Sequence, residues 1–411
     1  MTEIDHEAAP AAQWADPEPS ELEAIVATSR RLGWRAAVDG ESTRRPYFVR
    51  RLLNTRLGNW HLLLAMPRGS RAADVGCGFG SLVLGLVEYF RTAVGVDMLW
   101  SRVSYAALRA RQEGRPATFA RASAFALPFG DRTLDLVTMN GVLEWAGLYA
   151  AGAPREVQLA LLREARRVLA ATGVLCVAIE NRFAMETLLG DPDTHTQLRL
   201  APALPRVAAD ALSRVVRRQP YRTYLYNMRG YQRLLGESGF RQCRVYDLVS
   251  SYNDYDFVVD PRDGAAYRIL WQRGLVSTFV ERAGRVRRLL ARWWPSALGR
   301  VAYAFLLLGG DEVRTLLDDG HQLWRRAARV GLHPGRGRFA CQGTSVGSLA
   351  IVTHDGERPN GVMELSLQPE ARTDGPSLVS ESVARAIARR TVTLGEWADD
   401  GLTVRCFGIP R

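Results

Sequence analysis

Three glycines at alternate positions are the first feature of the chain that points to ligand binding. Gly76, Gly78 and Gly80 lie in "RAADVGCGFGSLVLGLVEYF", between a short apolar run and a stretch with helical spacing. A dinucleotide-binding fingerprint has the spacing G-x-G-x-x-G, and here Ser81 takes the place of its last glycine. Glycines let a ligand approach the backbone closely, and the helix that follows would direct its N-terminus at that ligand.

Two carboxylates accompany this loop. Asp74 lies two residues before Gly76, and Asp97 ends the apolar segment "TAVGVD". A carboxylate at Asp74 would repel a pyrophosphate, but it suits the ammonium group of an amino acid. An acidic residue about twenty positions after the loop can accept hydrogen bonds from both ribose hydroxyls. The pattern therefore favours an adenosyl ligand with an amino-acid tail and no phosphate.

These segments, followed by "ASAFALPFGDRTLDLVTMNGVLEW", resemble the ordered motifs of class I methyltransferases that depend on S-adenosyl-L-methionine (SAM). The resemblance covers roughly residues 45–260 and implies SAM as the cofactor. Ser123 stands where the family usually has an acidic residue that contacts the adenine amino group. The implied cofactor-binding residues are Asp74, Gly76, Cys77, Gly78, Gly80, Asp97, Met98, Ser123, Ala124, Phe125, Asn140 and Tyr47.

The methyl acceptor is expected at the ends of two predicted strands, "TLDLVTMN" and "GVLCVAIE". There, "IENRFAMETLLGDPDTHT" resembles a subgroup encoded with polysaccharide and antibiotic biosynthesis genes, which implies O-methylation of a sugar or similar hydroxylated molecule. An alcohol needs a base because its pKa lies far above 7. We predict that His195 is that base and that Glu144 and Asn181 assist it. The alternatives are N-methylation of an amino sugar or peptide, and a non-catalytic scaffold that kept the fold.

Asp191, Asp193 and His195 form a D-x-D-x-H cluster that could hold a divalent cation and so lower the pKa of a hydroxyl. Acidic residues in loops are more often turn formers, so we predict no metal. A set of aromatic residues around this region could stack on a sugar or pack in the core. Its members are Tyr221, Tyr224, Tyr226, Tyr252 and Tyr255.

Short buried strands alternate with helical segments between residues 71 and 180, which predicts a doubly wound α/β fold with a mostly parallel, seven-stranded sheet. A hairpin that turns at Asn253–Asp254 would form the antiparallel edge. The expected organisation is a disordered tail, a methyltransferase domain with a helical insertion, a basic helical segment and a small α+β domain. Their predicted ranges are 1–20, 21–261 with the insertion at about 182–227, 262–335 and 336–411.

The C-terminal third holds two further candidates. The segment 281–308 combines arginines, Trp293, Trp294 and a leucine run, which is the composition of a helix at an anionic membrane surface or of one packed on its neighbour. Residues 336–411 faintly resemble a kinase N-lobe with a helix bearing Glu381. Glu364 would then replace the phosphate-pairing lysine, and the segment would serve packing or dimerisation.

Composition limits the chemistry. The net charge is +11, and all 54 basic residues are arginine, which excludes a P-loop lysine, a Schiff base and a kinase strand lysine. The five cysteines are scattered, which favours reduced thiols in the cytoplasm, and no secretory signal is recognisable. The positive charge is dispersed and no nucleic-acid motif occurs, so we expect a small-molecule acceptor, no nucleic acid and a possible homodimer.

Overall fold

The computed structural model describes residues 17–55, 59–64, 66–67, 69–253, 255–276, 281–318, 322–329, 332, 337–342, 348–356, 358–366, 392–399 and 402–409. Three predicted features therefore lie outside the described residues: most of the N-terminal tail, Asp254 of the predicted turn, and the helix bearing Glu381. The strands are β1 Arg71–Val75, β2 Thr92–Asp97, β3 Thr118–Arg121, β4 Leu134–Asn140, β5 Leu169–Glu180, β6 Gln242–Val249, β7 Phe257–Val259, β8 Ala304–Gly310, β9 Gly337–Gln342, β10 Ser348–Asp355, β11 Arg358–Ser366, β12 Val392–Asp399 and β13 Leu402–Gly408.

In the described part of the chain, four helices precede the first strand, and the others lie between or after the strands. Their bounds are α1 Pro19–Leu32, α2 Trp34–Asp39, α3 Pro46–Leu53, α4 Trp60–Leu63, α5 Ser81–Leu86, α6 Trp100–Gln112, α7 Ala146–Tyr149, α8 Pro154–Val168, α9 Met185–Leu188, α10 Arg206–Arg217, α11 Met228–Glu237, α12 Gly264–Gln272, α13 Glu281–Trp293 and α14 Gln322–Arg329. Helices α1 and α3 pack on α6 through a separate apolar cluster that includes Phe48, Phe79 and Tyr105.

The first five strands form the parallel part of the sheet, in the order β3-β2-β1-β4-β5. Helices separate these strands in sequence, so the alternation read from the sequence is confirmed as a doubly wound α/β arrangement. The carboxyl ends of parallel strands meet at one edge of the sheet, and ligands of such folds bind there. The loops after β1, β2, β4 and β5 therefore share one edge.

Strand β5 shows why the sheet must be covered on both faces. Its residues Val174, Cys176 and Ala178 belong to one apolar cluster, whereas Leu175, Val177 and Ile179 belong to another. All six are at most 5 % exposed. Because successive side chains of a strand point to opposite faces, an unbroken apolar run is the pattern of a strand buried on both sides.

Strand β8 corrects the prediction that residues 262–335 are helical. Its sequence, "AFLLLGG", lies between β5 and β6 and pairs antiparallel with both. All of its residues are buried. A short apolar run has no periodicity that separates a buried strand from a buried helix, and here the open edges of β5 and β6 favour the strand. The predicted boundary at 261 leaves β8 outside the domain whose sheet it enters.

The predicted count of seven strands is also wrong for the described residues, which form one continuous sheet of thirteen. Beyond β8 the order is β6-β7-β9-β10-β11-β13-β12, with antiparallel pairing throughout. Strands β6 and β7 do pair with each other, but they are interior strands and not the edge. Residues 250–256 separate them, so the connection is longer than a two-residue turn.

Helix α13 and the residue that follows it carry the exposed arginine and tryptophan side chains of the 281–308 segment. Leu289, Trp293 and Trp294 are 61–70 % exposed, whereas Arg287 is buried and pairs with Glu186. Among the described residues, no helix combines the length and apolar character needed to cross a membrane.

Candidate active site

The loop after β1 contains two glycines that are closely packed against other side chains and one, Gly78, that faces free space. Gly76, Gly78 and Gly80 all have positive φ, which a side chain rarely adopts. A Cβ atom on Gly76 would lie 2.5 Å from the Val142 side chain, and one on Gly80 would lie 2.8 Å from the Phe119 ring. A Cβ atom on Gly78 would meet nothing within 4 Å, so the free space of the loop lies over Gly78.

Asp74 lies beneath this loop and is only 3 % exposed. The Thr138 hydroxyl donates a 2.7 Å hydrogen bond to its Oδ1. Burial raises the pKa of Asp74 to about 7. The hydrogen bond from Thr138 lowers this pKa, and the nearby charge of Asp97 raises it further. Cys77 follows Gly76 in the loop and is buried. Its backbone N–H donates to the Val96 carbonyl.

Asp97 connects the ends of β1 and β2. Its Oδ2 accepts a 3.0 Å hydrogen bond from the N–H of Gly78, and its Oδ1 accepts one of 2.9 Å from Leu99. Met98 is 44 % exposed. This carboxylate therefore lies at the open position of the glycine loop, with an apolar side chain beside it.

The loop after β3 carries Ser123, Ala124 and Phe125. The hydroxyl of Ser123 accepts a 3.2 Å hydrogen bond from the N–H of Phe125, and Ser123 itself is exposed. Ala124 and Phe125 are half-buried. Because β3 pairs with β2, these residues end at the same edge as Asp97.

A chain of amide and phenol groups lies at the end of β4. Asn140 Nδ2 donates a 3.4 Å hydrogen bond to Asn253 Oδ1, and Asn253 Nδ2 donates one of 3.0 Å to the Tyr47 hydroxyl. The Oδ1 atom of Asn140 is buried without a hydrogen-bond partner. Asn140 and Tyr47, both predicted to contact the cofactor, thus belong to one network that leaves a buried acceptor atom available.

Glu144, Glu180 and His195 come together from three separate segments. Glu144 lies in a 3₁₀ turn after β4, Glu180 ends β5, and His195 follows α9. His195 Nε2 lies 3.7 Å from Glu144 Oε1 and 3.8 Å from Glu180 Oε2. The side chains of His195 and Glu180 are 2 % and 6 % exposed, and that of Glu144 is fully buried. Two residues predicted to be catalytic, Glu144 and His195, are therefore neighbours.

The charged groups of this cluster change one another's pKa values. Burial raises the pKa of Glu180 to about 7, the charge of His195 opposes that rise and Glu144 adds to it. Burial disfavours the charged form of His195, but Glu180, Asp193 and Glu144 outweigh this effect and raise its pKa well above the usual value. Burial also works against the charge of Asp193, yet the hydrogen bond from His195 holds its pKa below the usual value.

Asn181, predicted to be catalytic, uses its side-chain amide in contacts with the protein backbone. Its Nδ2 donates 3.0 Å hydrogen bonds to the carbonyls of Arg300 and Ala302, and its Oδ1 accepts from the N–H of Phe183. Both N–H groups of the amide are thus used to hold the chain before β8. Asn181 is a structural link between β5 and β8, because no donor of its side chain remains for an acceptor molecule.

The D-x-D-x-H residues do not act as one group of ligands. Asp193 contacts His195, whereas Asp191 lies beside Glu186, and burial and the charge of Glu186 raise the pKa of Asp191.

The five tyrosines predicted to surround the acceptor site have different partners. Tyr221 stacks on Tyr224, Tyr226 donates to Gln158, Tyr255 stacks on Trp60, and Tyr252 packs at Gly141 beside the end of β4.

A small pocket of about 20 Å³ lies beside β6, lined among others by Tyr303, Tyr267 and Asp247. Arg287 and Glu186 form a bidentate ion pair in its wall, and the Tyr267 hydroxyl donates a 2.9 Å hydrogen bond to Asp247. Burial raises the pKa of Asp247 to about 7, while the bond from Tyr267 opposes the rise. The sequence reading missed this pocket because Tyr303 and Arg287 lie in a segment predicted to be a helix.

Asn253 and Glu180 were also given too little weight in the sequence reading. Asn253 was read only as a turn former, although an Asn after a strand can equally present its amide to a site. Glu180 ends an apolar strand at the ligand-binding edge, which made it one of several polar candidates for the acceptor site, but no role was predicted for it.

Residues 73–177 match a family model described as a methyltransferase domain. No curated protein matches the chain. Similar solved structures include the YcgJ protein of Bacillus subtilis, with 17 % identity, a TM-score of 0.36, and 62 % of this chain and 98 % of that one covered. A SAM-dependent methyltransferase from Aquifex aeolicus has 14 % identity and a TM-score of 0.33, with 57 % and 94 % covered. A geranyl diphosphate methyltransferase in complex with SAM has 15 % identity and a TM-score of 0.36, with 71 % and 95 % covered. TM-scores this low carry no argument about function.

The matched segment contains most of β1, all of β2 to β4, most of β5 and the glycine loop. This part of the chain is similar to methyltransferase domains, and SAM is the cofactor that this similarity indicates.

Proposed function

We propose that the chain transfers the methyl group of SAM to a hydroxyl of a sugar or a similar hydroxylated small molecule. The observation that carries the proposal is the buried cluster of Glu144, Glu180 and His195, which lies at the same edge of the sheet as the glycine loop. Val142 packs against Gly76 and lies two residues before Glu144. An acceptor held at the cluster would therefore lie next to a cofactor bound in the loop.

In this proposal the open face of the loop binds the cofactor. Asp97 accepts hydrogen bonds from the ribose hydroxyls, and Gly78 gives the ligand room to approach. Met98 and Phe125 contact the adenine, with Ser123 and Ala124 at its edge. Asp74 and Cys77 support the loop, Asp74 on the side of the ammonium group, and Gly80 starts α5. Tyr47 and Asn140 close the methionine end.

The reaction is an in-line displacement at the methyl carbon. The acceptor oxygen forms the new C–O bond, the C–S bond breaks, and its electron pair stays on sulfur to give S-adenosylhomocysteine. The sulfonium is a good leaving group, so alignment and the exclusion of water can supply much of the rate. The hydroxyl proton passes to Nε2 of the neutral form of His195, between the two glutamates. Because the neighbouring carboxylates raise the pKa of His195 well above the usual value, this form is reached at alkaline pH.

An amine acceptor is the second candidate, and the carboxylate oxygens without hydrogen-bond partners, both of Glu144 and Oε2 of Glu180, favour it. Two buried negative groups would attract a protonated amine and could then accept its proton. Membrane contact through 281–308, a homodimer, a kinase-like C-terminal segment and the non-catalytic alternative stay predictions.

The test has two stages. Calorimetry first measures SAM binding to the folded full-length chain, and lack of binding would reject both methyl-transfer functions. Transfer from methyl-labelled SAM to a panel of neutral sugars and matched amino sugars then separates the acceptors. Label on the neutral sugars, lost on His195→Ala, supports O-methylation, whereas label on the amines alone supports the second candidate.

A further inference from the structure

The buried carboxylates of the cluster lack the partners that such groups need. Glu144 is 0 % exposed, and neither of its side-chain oxygens has a hydrogen-bond partner. Oε2 of Glu180 is also buried without one. A buried negative charge is strongly unfavourable unless a cation or several donors compensate it. Counting Asp193, three carboxylates surround a single imidazole, so the cluster has room for further positive charge.

The geometry of the cluster suits a shared ion. One ligand atom each from Glu144, Glu180 and His195 lies within 4.8 Å of the others. The two separations from His195 Nε2, 3.7 and 3.8 Å, are too long for hydrogen bonds. Atoms that bind one ion at about 2.0–2.2 Å lie roughly 3–4 Å from each other, so small side-chain rotations would bring all three into contact with it.

Asp193 supplies the support that metal-binding histidines usually have. Its Oδ1 lies 3.1 Å from His195 Nδ1, and because an ionised carboxylate can only accept, Nδ1 carries the hydrogen. The N–H and hydroxyl of Thr196 both donate to the other oxygen of Asp193, which holds this carboxylate in place. Nε2 then faces the two glutamates, and a cation bound there would take the place of the proton that Nε2 otherwise carries. A carboxylate behind a histidine in this way fixes its tautomer and orientation toward a metal.

We propose that Glu144, Glu180 and His195 bind one divalent cation, with Asp193 as the positioning residue. This replaces the expectation of no metal, and the ligand set differs from the D-x-D-x-H group suggested by the sequence. Two carboxylate oxygens and one imidazole nitrogen suit a first-row transition metal such as Mn²⁺ better than Ca²⁺, which prefers six to eight oxygens.

The role of the ion rests on the proposed methyl transfer. A cation at this point would coordinate the acceptor hydroxyl and lower its pKa, and the released proton would leave to solvent water. The oxygen's electron pair forms the bond to the methyl carbon, and the pair of the C–S bond remains on sulfur. His195 is then a ligand, and the ion takes over the activation otherwise assigned to that side chain as a base.

The experiment titrates MnCl₂ into full-length protein that has been freed of metal with a chelator, and follows binding by calorimetry. We expect one ion per chain. Asp193→Asn should weaken binding about 10- to 100-fold, the usual effect of losing such a supporting group. Glu144→Gln should weaken it at least as much. Glu156→Gln is the matched control, because Glu156 is 65 % exposed on α8 and lies outside the cluster.

The titration of the unmodified protein decides the question even where a variant fails to fold. No binding, or binding that all folded cluster variants retain, would overturn the proposal. Circular dichroism establishes which variants are folded before they are titrated.

A parallel assay of labelled methyl transfer separates this inference from the proposed function. Transfer to a neutral sugar that persists in excess chelator, together with absent Mn²⁺ binding, overturns the metal site and leaves His195 as the base. Saturable Mn²⁺ binding that depends on Glu144, in a protein that does not bind SAM, supports the metal site and rejects methyl transfer.

Discussion

Asp193 Oδ1 lies 3.1 Å from His195 Nδ1, and this contact orients the imidazole. With Nδ1 engaged, Nε2 faces Glu144 and Glu180 at 3.7 and 3.8 Å. The edge of the His195 ring also packs against Trp145, at 4.8 Å between ring centroids, which limits rotation of the imidazole. Nε2 is therefore the ring nitrogen that faces the buried acidic cluster beside the glycine loop.

Asp97→Ala should weaken SAM binding at least about 100-fold. The reason is the loss of two charge-assisted hydrogen bonds to the ribose, each worth about 1.5–3 kcal/mol. Calorimetry with SAM measures the effect. The affinity of Asp97→Asn for SAM should lie between those of the unmodified protein and Asp97→Ala, because the asparagine retains one acceptor oxygen. Asp131→Ala, on an exposed loop, is the control. An unchanged affinity for SAM in Asp97→Ala would show that the ribose lies elsewhere.

Gly76→Ala and Gly78→Ala should separate stability from ligand binding. Both force a side chain into positive φ, at about 1–2 kcal/mol. Gly76→Ala also pushes a methyl group into Val142, which adds about 1–3 kcal/mol of overpacking. Gly78→Ala should leave a folded protein that binds SAM poorly, because its methyl group occupies the open face. Urea melts and SAM titrations of both variants check this, and equal effects on stability would contradict it.

Asp247→Asn should stabilise the protein at pH 8 and not at pH 4. Burial raises the folded-state pKa of Asp247 from 3.8 to about 7, so the folded chain retains a proton that the unfolded chain has lost. Stability of the unmodified protein therefore falls as pH rises between those values, by no more than about 4 kcal/mol. An asparagine still accepts the bond from Tyr267 and has no charge to bury. Urea melts across this pH range measure the difference, with exposed Asp131→Asn as the control.

Asn181→Ala should lower stability and spare catalysis. It removes two buried donors and leaves the carbonyls of Arg300 and Ala302 without them, at about 2–4 kcal/mol. Asn181→Asp should be as destabilising, since a carboxylate cannot donate to those carbonyls. Urea melts measure the loss. If the turnover per folded molecule dropped sharply in either variant, the catalytic prediction for Asn181 would be restored.

The sequence predicted best those features that depend on residues close to one another along the chain. The apolar run of β1, the spaced glycines and Asp97 are near neighbours, and their pattern predicted both a ligand loop and its position in the fold. The roles of these residues in binding stay predictions, although the structure brings them to one edge. Strand β8 could not be predicted in the same way, because "AFLLLGG" becomes a strand only between β5 and β6.

The acidic cluster was only partly visible for a similar reason. Glu144 and His195 were chosen as polar residues near strand ends, but their contact depends on how the segment after β5 folds back. Asn181 was chosen by the same rule, but both N–H groups of its amide bond to the carbonyls of residues 300 and 302, which come from a distant part of the chain. Position at a strand end thus identifies candidates without assigning their partners.

The position of β8 also determines the order in which the protein can be built. A ribosome delivers β5 and β6 well before it delivers the strand that lies between them. Until residues 304–310 emerge, the two older strands have unsatisfied edges facing the same gap, and such edges invite pairing with other chains. The nascent methyltransferase sheet is therefore completed late, and a chain released after residue 261 would end with that gap unfilled.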